Sequence, residues 1–332
     1  MKISEIAALA GVSVATISRY LNGGSVSAEK KEKIKKIIDE TGYAPNATAQ
    51  SLRKQQVNNI GVIVPKINSD SVSNVTAGIS SVLNKNDFIF IFGNTDNDEK
   101  REIEYLNMMQ ENHLAGIILM GTVFTPKHKE IFKKCKIPLV ICGQNYPNVS
   151  CIYHDDKGAA KEITNCIIKK GRTKLAYIGV NEKDISVGLN RRMGVEEAMR
   201  ENGLNSEKLV KEYAEFSSNS GFDSMNNILD NGFVPDGLIC ATDTIAIGAM
   251  QALKERGYNI PTDISVGGIG CNKAGTIISP NLTTVKLFQH DCGVKAAKLL
   301  LSMIEDAREN PKEPHNTSQT MLGYTLVERE SV

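Results

Sequence analysis

From Ile60 onward the chain alternates short, uninterrupted apolar runs with segments of helical character, and this alternation limits its fold more than any other feature. The first set of runs is Ile60–Val64, Phe88–Phe92, Gly116–Met120 and Leu139–Cys142, with helix-like stretches such as Asp98–Gln110 and Pro126–Cys135 between them. A strand that is apolar at every position is buried on both faces, and a parallel pair needs a connection long enough to cross back over the sheet. The pattern then restarts: Leu175–Gly179, Gly237–Ala241 and Ser265–Ile269 read as strands, separated by helices near Leu189–Glu201, Ser218–Asp230 and Thr244–Arg256. Two successive sets predict two Rossmann-like α/β lobes. A last long helix, Gln289–Ala307, precedes a C-terminal strand over Leu322–Val327.

The first 58 residues follow a different rule. They contain no strand pattern and three short amphipathic helices. The first, Ser4–Ala10, runs into Gly11-Val12-Ser13 and then a second helix, Val14–Leu21. Gly11 suits a turn that needs positive φ, and Ser13 is a good N-cap. Ser27 is the expected cap of a third helix, which places Ile34, Ile37 and Ile38 on one face, and Gly42 ends it. This is an all-α helix-turn-helix with a supporting helix. The charge is divided in the same way. Residues 1–60 hold nine Lys/Arg against five Asp/Glu, and the remainder thirty against thirty-three, although the net charge is only +1. A basic end on a mildly acidic body is the layout expected when only that end meets phosphate.

Several classes are disfavoured. The seven cysteines (Cys135, Cys142, Cys151, Cys166, Cys240, Cys271 and Cys292) are scattered and never spaced CxxC, so they read as reduced core thiols without a metal site. The N-terminus lacks the apolar stretch of a secretory signal, and no run is long enough to span a membrane, so a cytoplasmic protein is expected. Gly268-x-Gly270-x-x-Lys273 lacks the third glycine of a dinucleotide fingerprint, and no GxxxxGK[ST], GxSxG or HExxH occurs. The five histidines are dispersed. No catalytic residue, cofactor or metal is expected.

On the second helix, Ile17 and Leu21 turn toward the core and leave Val14, Ala15, Ser18 and Arg19 outward. Arg19 is the strongest base reader, because a guanidinium pairs bidentately with guanine; Thr16, Ser18 and Asn22 suit phosphates, which set register. The run from Ile6 through Ala10-Gly11-Val12-Ser13-Val14-Ala15-Thr16-Ile17-Ser18-Arg19 to Asn22, with Gly42-Tyr43-Ala44-Pro45-Asn46, resembles the head of lactose-repressor/galactose-repressor family regulators. The resemblance extends over essentially the whole chain through Arg191-Arg192-Met193-Gly194, Ala241-Thr242-Asp243, Pro280-Asn281-Leu282-Thr283-Thr284-Val285 and the terminal Leu326-Val327-Glu328-Arg329. Within the family the chain is most similar to the sucrose and trehalose repressor group.

That resemblance implies a helix-turn-helix domain over 1–45, a hinge helix and linker over 46–58, and a periplasmic-binding-protein-like effector and dimerisation body over 59–332, whose chain crosses between two lobes. It implies that Val14 and Ala15, beside Arg19, set operator preference. In the hinge, Asn46 can cap a helix too short to be stable alone. By resemblance that helix forms on operator DNA, where Leu52 wedges between base steps of the minor groove and Arg53 lies near phosphate.

Ligands of open α/β sheets bind beyond the carboxyl ends of the strands. There the sequence places Asn68, Ser69, Ser71, Thr122, Gln144, Asn145, Thr242 and Asp243. The family resemblance adds Arg191 as the anchor for adjacent ligand oxygens and Tyr153 and Phe216 as aromatic walls. Many sugar-responsive relatives carry an aspartate where this chain has Gly270, so Asn272 or Asp243 is expected to substitute. The expectation is a sequence-specific repressor, a homodimer on a pseudo-palindromic operator, controlled by a small molecule, a sugar by resemblance. No heptad extension follows Val327, so a tail-built tetramer is not expected. The lobes by themselves would also suit a solute-binding protein or a sugar- or nucleoside-acting enzyme.

Overall fold

The computed structural model describes residues 3–21, 24–43, 58–310 and 317–332. The chain divides into two units, Met1–Val57 and Asn58–Val332. In the first, α1 (Ile3–Ala10), α2 (Val14–Leu21) and α3 (Ala28–Thr41) close on Ile6, Ala7, Ala10, Ile17 and Ile34. Gly11 takes φ 63° between α1 and α2, and Gly42 ends α3 at φ 60°, both left-handed positions that cost glycine least. The Ser13 hydroxyl accepts from the Thr16 amide at 3.2 Å and caps α2. Ser27 precedes α3 without a side-chain cap bond.

Among the described residues, the second unit holds twelve strands in two six-stranded sheets. The N-lobe sheet uses β1 (Asn59–Val64), β2 (Ile89–Asn94), β3 (Gly116–Leu119), β4 (Leu139–Cys142), β5 (Ser150–His154) and β11 (Gln319–Leu322), in the order β11-β5-β4-β3-β1-β2, parallel throughout. Its helices are α4 (Asp70–Leu83), α5 (Glu99–Glu111), α6 (Pro126–Lys134) and, late in the chain, α11 (Gln289–Glu309). Burial on both faces explains the unbroken apolar runs. Ile60, Val62, Val64, Ile118 and Val140 pack with α4 and α11, while Ile63, Ile117, Leu119 and Ile141 pack with α5 and α6.

The C-lobe repeats the plan with β6 (Leu175–Gly179), β7 (Val210–Tyr213), β8 (Gly237–Cys240), β9 (Ser265–Ile269), β10 (Thr283–Leu287) and β12 (Tyr324–Val327), in the order β12-β10-β9-β8-β6-β7. Only the β10–β12 pair in that sheet is antiparallel. Its helices are α7 (Asp156–Lys169), α8 (Arg191–Glu201), α9 (Ser218–Asp230) and α10 (Asp243–Glu255). The chain crosses between lobes three times: from β5 into α7, from β10 into α11, and from β11 into β12. The expected single strand over Leu322–Val327 is therefore two strands, one per sheet, parted at Gly323. The expected helix from Leu189 is a π-helical turn, Ile185–Asn190, followed by α8. All seven cysteines are free thiols, five of them buried.

Glycines let the paired helices touch backbone to backbone. A Cβ on Gly248 of α10 would lie 1.8 Å from the Ser218 carbonyl oxygen of α9, and one on Gly293 of α11 would lie 2.0 Å from the Val75 carbonyl oxygen of α4. Backbone cannot yield as a flexible side chain does, so Gly248→Ala should separate α9 from α10 and lower unfolding stability by about 3 kcal/mol in a urea melt. A loss below about 0.5 kcal/mol would mean that the helices tolerate wider spacing.

Candidate functional site

Between the lobes, at the carboxyl ends of both sheets, lies a cleft of about 630 Å³. Each wall is made of residues just past a strand end: Asn68, Ser69 and Ser71 after β1, Thr122 after β3 and Gln144 after β4 on one side; Asp184 after β6, Asp243 after β8 and Asn272 after β9 on the other. The position follows from topology. In each sheet the strand order reverses beside the first strand, and the diverging crossovers leave a crevice there.

Arg191 anchors the floor. Its Nε and Nη2 donate to Asp156 Oδ1 at 2.8 and 2.6 Å, and its Nη1 donates to the Ala241 carbonyl. Both partners of this ion pair are at most 5% exposed. Asp156 opens α7 immediately after the first crossing, and Arg191 opens α8 immediately after the π turn. That turn is shaped by Asp184, whose Oδ1 accepts from the Val187 amide at 2.9 Å, and by Gly188, where a Cβ would fall 2.3 Å from the Asn181 carbonyl oxygen. A π turn adds a residue to the helical count and so re-aims the side chains after it, here the arginine.

Asp243 is nearly as constrained. Its Oδ1 accepts from the Thr284 hydroxyl at 2.5 Å and its Oδ2 from the Asn272 amide at 2.6 Å. Burial, outweighing these bonds, raises its pKa above the usual carboxylate value. Burial also pushes Asp184 up to about 6, against the bond from Val187 and with help from neighbouring Asp156. Gln144 of the N-lobe reaches across the cleft: its Nε2 donates to the Gly121 and Thr122 carbonyls and lies 3.4 Å from Asp184 Oδ1. His154 also lines the cleft. Burial lowers its pKa, its ring donates to the Phe288 carbonyl, and its Nε2 meets no partner among the described residues.

In the head, Ala15 and Arg19 are exposed on α2, and Ser18 is half-buried. Val14 is half-buried against the head's core, because it opens α2 directly beside the turn. The Thr16 hydroxyl lies 2.9 Å from that of Ser13, so it serves the cap before any phosphate. Asn22, Asn46, Leu52 and Arg53 lie outside the described residues.

A model of bacterial regulatory proteins of the lacI family matches residues 2–46, and a periplasmic binding protein-like domain matches residues 164–332. The HTH-type transcriptional regulator RegA of Clostridium saccharobutylicum is 31% identical over 99% of this chain and 98% of its own length. The chain belongs to the lacI family of bacterial regulatory proteins. The sucrose operon repressor of Staphylococcus xylosus is another relative, 30% identical over 91% of this chain and 93% of its own. A lac repressor dimer solved with operator and the anti-inducer ONPF shares the fold at TM-score 0.88 and 22% identity, covering 100% of this chain and 98% of that one. The CelR regulator solved with cellobiose does so at TM-score 0.75 and 23% identity, covering 100% of both chains. This lacI-family chain is thus a DNA-binding transcriptional regulator with an effector-binding body.

Of the effector residues expected from the regulator's sequence, Asn68, Ser69, Ser71, Thr122, Gln144, Arg191, Phe216, Asp243 and Asn272 all line the cleft. Tyr153 does not. It packs with Cys151 on the α5/α6 side of the N-lobe sheet, and strand alternation presents His154 to the cleft instead. Asn145 is exposed outside it. Sequence reading also missed Asp156 and Asp184. Asp156 follows β5 directly, so the rule that ligands sit past strand ends would have found it had that strand been recognised. Gly270 takes φ 139°, and a Cβ there would lie 3.7 Å from Asp243 Oδ2, so Asp243 stands beside the place of the missing aspartate.

The Asp184 shift has a stability consequence. Its folded value, about 6, exceeds the 3.8 of an unperturbed aspartate, so folding favours the protonated form. The stability this group contributes is complete below the unfolded value and is lost as pH rises through about 6. Asp184→Asn, which mimics the protonated form, should exceed wild type at pH 8 by up to about 3 kcal/mol in urea unfolding, with the gap shrinking toward pH 5. A gap independent of pH would contradict the burial argument.

Proposed function

We propose that the chain is a homodimeric repressor that holds a pseudo-palindromic operator through its heads and is released by a sugar bound between its lobes. The observation that carries this reading is the polar cleft at the strand ends, floored by the Arg191–Asp156 pair and Asp243, on a body that follows a helix-turn-helix. Carboxylates and a guanidinium fork recognise vicinal hydroxyls, and the half-buried ring of Phe216 offers an apolar face for a sugar's C–H groups. Asn68, Ser69, Ser71, Thr122, Gln144 and Asn272 supply further polar contacts, and no catalytic role is assigned to any of them. Two relatives support a sugar: one is named a sucrose operon repressor, the other was solved with cellobiose. Acting on DNA, the protein works in the cytoplasm.

In the head, Arg19 reads guanine, Val14 and Ala15 touch base edges, and Thr16, Ser18 and Asn22 lie along phosphates. Asn46, Leu52 and Arg53 form the hinge that folds on DNA and inserts Leu52. Dimerisation spaces two heads for two half-sites. The outer edge of the N-lobe sheet favours self-association: among the described residues no strand pairs with β2 on that side, and β2 exposes Ile89 (69%) and Ile91 (42%), an apolar edge that proteins normally cover.

Gel shifts of the full-length protein on operator and on random duplex, with and without sugars, test the whole reading; absence of preference for any duplex in every ligand state would overturn it. Arg19→Ala should weaken specific binding by about 1–3 kcal/mol and relax selection at one base position. Leu52→Ala should lower operator affinity while leaving sugar affinity unchanged; an unaltered operator affinity removes the wedge. Arg191→Lys keeps the cation opposite Asp156 but loses the planar fork, so operator release by sugar should be blunted.

A further inference from the structure

The deep cleft is electrostatically one-sided. Asp156, Asp184 and Asp243 are each more than nine-tenths buried, and the only similarly buried cation among the described lining residues is Arg191, two of whose nitrogens already serve Asp156. Lys66 and Lys273 also line the cleft, but the first is half-buried and the second exposed.

Helix N-termini facing a cleft are ordinarily anion sites, because unpaired amides and the helix dipole both favour negative charge. Here the protein fills those places itself. The helices α4, α7 and α10 begin with Asp70, Asp156 and Asp243, and the π turn is capped by Asp184; all four line the cleft. Beside α10, two donors that an anion could have used, the Thr284 hydroxyl and the Asn272 amide, are spent on Asp243. Acceptor capacity is left over, because each carboxylate has more lone pairs than the donors it already meets.

We infer that the effector is an uncharged, hydroxyl-rich molecule that donates hydrogen bonds into this floor, and that sugars bearing phosphate or carboxylate are rejected. This rests on the sugar reading of the cleft and narrows its class. A bound anion would face three buried carboxylates with its own hydration removed, whereas hydroxyls would be attracted by them.

The test titrates the full-length protein calorimetrically with matched pairs: sucrose and sucrose 6-phosphate, trehalose and trehalose 6-phosphate, cellobiose and its 6-phosphate. The neutral member of a pair should bind, with its phosphorylated partner weaker by about tenfold or more. Asp243→Asn and, separately, Asp184→Asn should narrow that gap, since each removes a charge at nearly constant volume. A phosphorylated member that binds as tightly as the neutral one overturns this inference and leaves the sugar reading standing. So does a gap that neither substitution moves. If no member of any pair binds, the sugar reading falls, and this inference with it.

Discussion

The buried ion pair between Arg191 and Asp156 is the contact on which the rest of the body's functional architecture depends. Asp156 begins the helix that receives the chain after its first crossing between lobes, and Arg191 begins the helix after the π turn. By donating also to the Ala241 carbonyl, the guanidinium ties both helix starts to the end of a central C-lobe strand. Removing one partner of such a pair leaves the other charge buried and alone, at a cost of about 3–5 kcal/mol. The cleft floor is therefore stiff where it must recognise a ligand. It spans elements that a lobe movement would shift relative to the other wall.

Around this pair the crossings reinforce one another. The Asp155 amide donates to the Leu322 carbonyl, linking the first crossing to the third, and the Cys292 thiol donates to the Ile152 carbonyl, linking the second to the first. Gln144 reaches across the cleft toward Asp184, whose pKa burial pushes up to about 6. A ligand can shift the balance between two lobe arrangements only by binding them unequally. A cleft with cross-lobe polar contacts at its centre offers a way to do so, because a bound molecule replaces or completes those contacts.

Much of the fold was legible in the sequence because burial writes itself into composition. Strands covered on both faces must be apolar at every position, so β1, β3, β4, β6, β8 and β9 stood out. The strands β5, β7 and β10 did not. Val210–Tyr213 is an edge strand whose alternate residues, Lys211 and Tyr213, are exposed, and Thr283–Leu287 mixes threonine and lysine with its apolar residues. The residue that lines the cleft at the end of β5 was misplaced by one. An alternating strand sends Tyr153 and His154 to opposite faces, and an unrecognised strand gives no parity to choose between them.

The sequence alone determined the class of each part: a basic three-helix head built on Gly11, Ile17 and Ile34, and two α/β lobes with polar residues beyond their strand ends. These properties are local, set by periodicity, turn chemistry and which residues tolerate water. Only the tertiary structure decided that Asp156 pairs with Arg191, that Asp243 stands beside the vacant side-chain position at Gly270, and that the last strand divides between two sheets. Those facts join residues tens of positions apart through crossings between lobes, and no local pattern records which distant partner a buried charge will find.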